Sequence, residues 1–229
     1  MNRFASWMCV GLLAVGSATQ MRAEDKAKLD ERLTNAKNVI DEIMHTPDKA
    51  VPNQILSQAQ CVVVVPAYKK GAFIVGAQYG KGAATCRTPR GWSAPVFVQL
   101  SGGSFGFQIG GQSTDLVLIA VNKGGLQHML NNKFKIGGDA AAAAGPVGRN
   151  AQAGTDWKLN AEFLTYSRSK GLFAGLDLDG TVLEADKSDN RDFYGEATPY
   201  RTILSGGVPT PTDAAPFVRT VARYFVATK

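Results

Sequence analysis

Asp177 and Asp179, in the run LDLDGTV (176–182), are by type and spacing the residues best suited to covalent chemistry. Two carboxylates two positions apart at a strand end can act as nucleophile and general acid/base in phosphoryl transfer. A phosphatase built that way needs Mg²⁺ and phosphate ligands on later strands and helices, and only about fifty residues follow. The same residues fit a β-turn at Asp179-Gly180 between two alternating strands, and the turn is the expectation. Other catalytic patterns fail. VGAQYGKGA (75–83) places Val75 and Gly82 where a phosphate loop needs Gly and Ser/Thr. His45 and His128 are far apart, and no nucleophile elbow precedes either. Asp186, Asp189 and Asp192 lack calcium-loop spacing and read as a solvated loop. With two histidines and three cysteines, a His/Cys metal centre is not expected. No catalytic residue, metal or cofactor is therefore predicted.

Binding has better candidates. Lys69, Lys70, Lys81, Arg87, Arg90 and Lys170 fall in or beside turns, with the aromatic rings of Tyr68 and Trp92 near them. Cations beside aromatic rings suit an anionic lipid headgroup interface, where phosphate and the polar–apolar boundary lie together. Solvated turns would show the same pattern. The formal net charge is +6, a mild excess spread along the 229 residues. Glycine is the outlier: 25 residues, about 11% against roughly 7% in average proteins.

The elements that must position these residues read as one domain. Residues 24–46 form an amphipathic helix, with Leu29, Leu33, Ala36, Ile40, Ile43 and Met44 on one face. Residues 53–60 read as a second short helix. CVVVV (61–65) is a buried strand bounded by Pro66. GAFIVGAQYG (71–80), GAATCR (82–87), APVFVQL (94–100) and SFGFQIG (104–110) are further short β segments. LVLIAV (116–121) fits an inner strand, and a short helical piece begins at Asn122. A second strand group covers 161–167, 172–177 and 181–184, and a tail helix covers 212–227. The fold class expected is α+β: an antiparallel sandwich or barrel-like sheet flanked by N- and C-terminal helices. Glycines inside the strands then mark bulges, bends or close backbone approach.

Residues 1–23 read as an export signal. Arg3 precedes the apolar run WMCVGLLAV (7–15), too short to span a bilayer, and cleavage fits after Ala18 or Ala23. The domain is then 24–229, its charge about +4, its compartment the bacterial periplasm. Cys61 and Cys86 remain, either bridged or as two buried thiols on neighbouring strands. A bridge would contribute roughly 3 kcal/mol.

The succession of segments resembles the SYLF domain family over residues 30–227. It rests on CVVVVP (61–66), KKGAFIVGAQYGKGAATCR (69–87), GWSAPVFVQLSGGSFGFQIGGQSTDLVLIAVN (91–122), GPVGR (145–149), YSRSKGLFAGLDLDGTVLEAD (166–186) and FYG (193–195). The resemblance implies a compact α+β domain without an established catalytic centre, lipid-binding and, in fungal members, actin-binding. Lys69, Lys70, Lys81 and Arg87 match basic positions of the family's glycine-rich stretch, and Ser169-Lys170-Gly171 its SKG turn. Eukaryotic relatives are associated with phosphoinositides. An exported chain does not meet actin in its own cell, which leaves anionic phospholipid or phosphoinositide-like headgroups as the expected ligand, a bacterial phospholipid foremost. The expected function is thus non-catalytic lipid binding at the envelope membrane, with no nucleic acid partner. An envelope structural or protein-interaction module is the alternative, and a phosphatase through Asp177 and Asp179 comes third.

Overall fold

The computed structural model describes residues 10–46, 51–146, 161–169, 172–174, 178–195 and 198–227; side chains are described within these except at 10–24, 72–76, 104–112, 169 and 172–174. Asp177, Lys170 and the later part of GPVGR lie outside the described residues.

Two long strands dominate. β1 (Cys61–Thr88) and β3 (Val96–Ala120) pair antiparallel from Cys61↔Ala120 to Ala84↔Val96, and the two-residue β2 (Gly91–Trp92) lies at the turn between them. At about 3.3 Å per residue a straight 28-residue strand would extend about 90 Å. Yet the Cα atoms of Cys61 and Cys86 are 4.0 Å apart. The ribbon is therefore folded in half, with the first and last thirds of β1 side by side. Arg87 N–H donates to Gln60 O at 2.7 Å across this contact. A Cβ on Gly82 would overlap Val64 O, and one on Gly80 would lie 2.6 Å from Val65 Cγ1. Glycine lets the two backbones touch.

This corrects the expectation of several short strands. Pro66 does not end a strand; a register shift between Val65 and Tyr68 absorbs it, with Ala67 at φ 50°. The segments 61–65, 71–80 and 82–87 are one strand, as are 94–100, 104–110 and 116–121 apart from their ends.

β6 (Phe163–Ser169) extends the sheet along the last part of β3, and β8 (Val182–Ala185) along its first part. β4 (Lys133–Lys135) and β7 (Leu172–Ala174) pair antiparallel with β8 and β6, whereas β5 (Ala142–Ala144) joins β6 in parallel, giving eight strands among the described residues. The class is mixed, with a curled and largely antiparallel sheet flanked by terminal helices. Asp179-Gly180 is a turn, Gly180 at φ 82°, with Thr181 N–H donating to Leu178 O at 2.9 Å.

Both faces of the sheet are covered, which explains the continuous apolar runs. Val62, Val64, Val117 and Ile119 face α1 (Val10–His45), α2 (Asn53–Gln58) and the tail helix; Val63, Val65, Leu116 and Leu118 face the opposite core with Met129, Phe134, Leu183 and Ile203. On α1 the stripe Leu29, Leu33, Ala36, Ile40 and Ile43 is buried, and each large side chain contributes about 1.5–3 kcal/mol. The same helix passes both cleavage points predicted from sequence. Among the described residues no helix is long and apolar enough to cross a membrane.

Among the described residues the remaining helices are α3 (Lys123–Leu130), N-capped by Asn122, α4 (Lys187–Tyr194), α5 (Tyr200–Leu204) and α6 (Ala215–Tyr224). α6 follows a 3₁₀ turn (Thr212–Ala214) and stops short of the predicted end at 227. The expected solvated loop at 186–192 is instead the start and body of α4. Asp186 caps it by accepting from Asp189 N–H.

The two cysteines form a disulfide that clamps the doubled-back β1. Cys61→Ala/Cys86→Ala is expected to lower unfolding free energy by about 3 kcal/mol, measured by denaturant titration against the oxidised protein.

Candidate functional site

A cleft of about 350 Å³ opens between α1 and β1 where the ribbon doubles back. Lys28, Arg32 and Asn35 line it from the helix, and Pro66, Ala67, Lys69, Tyr79, Gly80 and Lys81 from the strand. Ala67 is held at positive φ by donating its N–H to Asp115 Oδ1 at 3.0 Å. That kink brings Lys69 to the rim.

Two of the lining cations, Arg32 and Lys81, belong to an ion network. Lys81 Nζ lies 2.7 Å from Asp186 Oδ2 and 3.0 Å from Asp189 Oδ2, while Arg32 holds the same Asp189 oxygen. Asp186 is 4% exposed at its side chain. Its second oxygen accepts from Ser188 Oγ at 2.8 Å and from Asp189 N–H. Although burial alone would raise its pKa, the Lys81 ammonium and these hydrogen bonds win and hold it at about 2. A carboxylate with a depressed folded pKa stabilises fully above its unfolded value near 3.9, and less as pH falls through the folded one. Stability should therefore fall between about pH 4 and pH 2 and do so less in Asp186→Asn, as acid-unfolding curves of the two proteins would record. Lys81 also responds: ion pairing raises its pKa against the lowering effect of burial.

α4 is docked by a further device. Asn190 Nδ2 donates to Phe97 O at 2.7 Å and its Oδ1 accepts Phe97 N–H at 2.8 Å, so one amide side chain imitates a strand partner. Arg32 lies over the Phe97 ring at 5.4 Å. The network thus joins α1, β1, β3 and α4.

The basic residues singled out from sequence divide into three groups. Lys69 and Lys70 are neighbours on β1, one exposed and one half-buried, and neither makes an ion pair among the described residues. Lys81 shares the cleft with Lys69, but its charge is engaged by two aspartates. Arg87 and Arg90 sit at the other end of the ribbon. Arg87 donates to Ala59 O and Phe225 O, both at 3.0 Å, with its guanidinium 4.7 Å from the Trp92 ring. Arg90 donates to Gly206 O at 2.8 Å beside a second cleft of about 340 Å³. These two arginines fasten the C-terminal segment to this end of the ribbon. Trp92 is half-buried and packs edge-on against Phe225, 5.9 Å between centroids. Tyr68 does not reach the surface: it is 1% exposed and donates to Gln78 Oε1 at 2.8 Å. Among the described side chains the exposed ring is Tyr79, at 46%.

Sequence reasoning missed Arg32, Asp186, Asp189 and Tyr79. Asp186 with an acid three positions later is a helix-start signature that was available; nothing local marks Tyr79. Among the described residues no group of three His, Cys, Asp or Glu is placed to hold a metal.

The comparisons bear on what this arrangement belongs to. A family model described as "Ysc84: Las17-binding protein actin regulator" matches residues 101–224, more than half of the chain. The chain belongs to the Ysc84 family. This is the SYLF resemblance that the sequence segments carried, and the matched region holds β3 from Ser101 onward, the second strand group and the helices α3 to α6. Among its relatives, the SH3 domain-containing YSC84-like protein 1 of Rattus norvegicus is 37% identical over 177 residues, covering 73% of this chain and 50% of that protein. Its Homo sapiens counterpart is 36% identical over 177 residues, covering 73% and 49%. Protein YSC84 of Saccharomyces cerevisiae is 31% identical over 176 residues, covering 75% and 37%. The chain spans half or less of the length of these Ysc84 relatives. The rat and human relatives are named for an SH3 domain and for likeness to YSC84, and none of these names denotes an enzyme.

Proposed function

We propose that this Ysc84-family chain is an exported, non-catalytic lipid-binding domain of the bacterial envelope, engaging anionic phospholipid through the lysines of β1. The observation that carries this is the Lys69-Lys70 pair, placed beside a cleft and an exposed tyrosine while neighbouring Lys81 and Arg32 are held by aspartates. A phosphate needs cations whose charge is not already matched, and each lysine at an anionic surface contributes about 1 kcal/mol. Arg87, Arg90 and Trp92 are assigned here to structure. Export is supported by the apolar run at 7–15 and by a Cys61–Cys86 bridge, which persists in an oxidising compartment. Co-sedimentation with phosphatidylglycerol vesicles, against phosphatidylcholine vesicles, tests the proposal. Binding to the anionic vesicles that weakens with salt is expected; no binding at low salt refutes it.

One observation favours a second reading, a protein-docking module: the family description names a protein partner. Saturable binding of a purified envelope protein by lipid-free material, undiminished by Lys69→Glu/Lys70→Glu, would establish it in place of lipid.

A further inference from the structure

The eight-stranded sheet does not accompany the ribbon along its whole length. On β3, the pairing with β8 ends at Ser101 and that with β6 begins at Asp115. Between them, among the described residues, β3 pairs only with β1, so this stretch is a two-stranded ribbon. Its middle is where the chain turns back. Ala72 pairs with Gly110 and Ile74 with Gly106, so Phe107, Gln108 and Ile109 oppose Phe73 alone. The unequal count is a bulge, which bends the ribbon at that point.

The composition of the bend is as unusual as its register. Residues 71–80 and 101–114 contain no charged side chain, and they carry Phe73, Ile74, Val75, Phe105, Phe107 and Ile109. A soluble two-stranded ribbon is ordinarily protected by charge along its edges. Here the cations stand only at its base: Lys69 and Lys70, paired with Ser113 and Gln112. From Lys70 to Phe73 is about 10 Å along the strand, the upper end of the roughly 5–10 Å by which interfacial elements bury apolar groups into the headgroup/acyl boundary.

We infer that the ribbon bend is the membrane-inserting element, with the apolar residues around Phe73 and Phe107 entering the acyl boundary of an anionic bilayer while Lys69 and Lys70 meet its phosphates. This rests on the lipid-binding proposal and adds to it a site, a depth and an orientation. Charge complementarity selects the occupant. A second copy of the chain would cover apolar surface equally well but would set the lysine pairs of two molecules near each other.

The test uses the full protein with one added cysteine at the bend, Phe107→Cys, labelled with an environment-sensitive nitrobenzoxadiazole probe; Arg219→Cys on α6 carries the same probe as control. With phosphatidylglycerol vesicles the probe at 107 should shift to the blue and be quenched by lipid carrying a doxyl group on the acyl chain, and the probe at 219 should do neither. A second variant, Phe107→Asp, with circular dichroism confirming its fold, should lose about tenfold or more in vesicle affinity and keep its salt dependence. Vesicle binding with the probe at 107 still in water overturns the inference and leaves the lipid-binding proposal standing. A blue shift that grows with protein concentration in the absence of vesicles overturns it in favour of self-association. Absence of binding at low salt overturns both.

Discussion

Gly82→Val should leave no folded protein. At Gly82 the two arms of β1 are in backbone contact, and any Cβ would overlap Val64 O, an atom that belongs to main chain and cannot rotate away. Val65, which the same Cβ would also meet, is buried. Relief would require the arms to separate, breaking the doubled-back geometry that brings Cys61 to Cys86. Overpacking a core costs about 1–3 kcal/mol where side chains can yield and more where backbone must move. A branched side chain here should exceed the whole stability of about 5–15 kcal/mol that a domain of this kind has to lose. Gly71→Ala is the matched control, since a Cβ there meets nothing within 4 Å; its stability should change by less than about 0.5 kcal/mol. Circular dichroism and urea unfolding of the two variants make the comparison. Native-like folding of Gly82→Val would show that the arms of β1 do not touch.

Lys81→Met should cost about 4 kcal/mol. The lysine stem would be replaced by one of similar length, so packing along the cleft wall is kept. What goes is the ammonium between Asp186 and Asp189, leaving one nearly inaccessible carboxylate with hydrogen bonds and no cation, and the other with Arg32 alone. An uncompensated buried charge is far more damaging than the pair is stabilising. The account therefore predicts partial rescue: Lys81→Met/Asp186→Asn should recover about half of the loss, because asparagine also caps a helix. If the double variant is as unstable as the sum of the single ones, the two groups do not interact and the network is misassigned.

Much of the fold can be read from local pattern. CVVVV and LVLIAV are apolar at every position because both faces of the sheet are covered, and the helical stripe from Leu29 to Ile43 states where α1 packs. The turn at Asp179-Gly180 follows from residue type. What local pattern does not carry is where the chain returns on itself. Pro66 and the glycines of 71–82 punctuate the sequence as if strands ended there, whereas they allow one strand to bend and touch itself. Likewise, Arg87 and Lys69 are equivalent as letters. Arg87 is committed to carbonyls at Ala59 and Phe225, the second 138 positions away, and only the folded chain shows which cations are already matched. The cysteine pair, in its bridged form, and the strand glycines, as sites of bending or close backbone approach, are the sequence features that agree with the doubling back.

The structural part of the account explains why two lysines, and not the whole basic set, are assigned to lipid. Lys81 and Arg32 spend their charge holding α1 and α4 to the sheet, and Arg87 and Arg90 hold the C-terminal segment. Lys69 and Lys70 stand at the base of the uncharged ribbon. The most direct test of this division is the affinity of Lys69→Glu/Lys70→Glu for phosphatidylglycerol vesicles at low salt, compared with that of the unaltered protein. Reversing both charges should weaken binding at least about tenfold with unfolding free energy unchanged; affinity equal to that of the unaltered protein would contradict the claim that these lysines face the membrane.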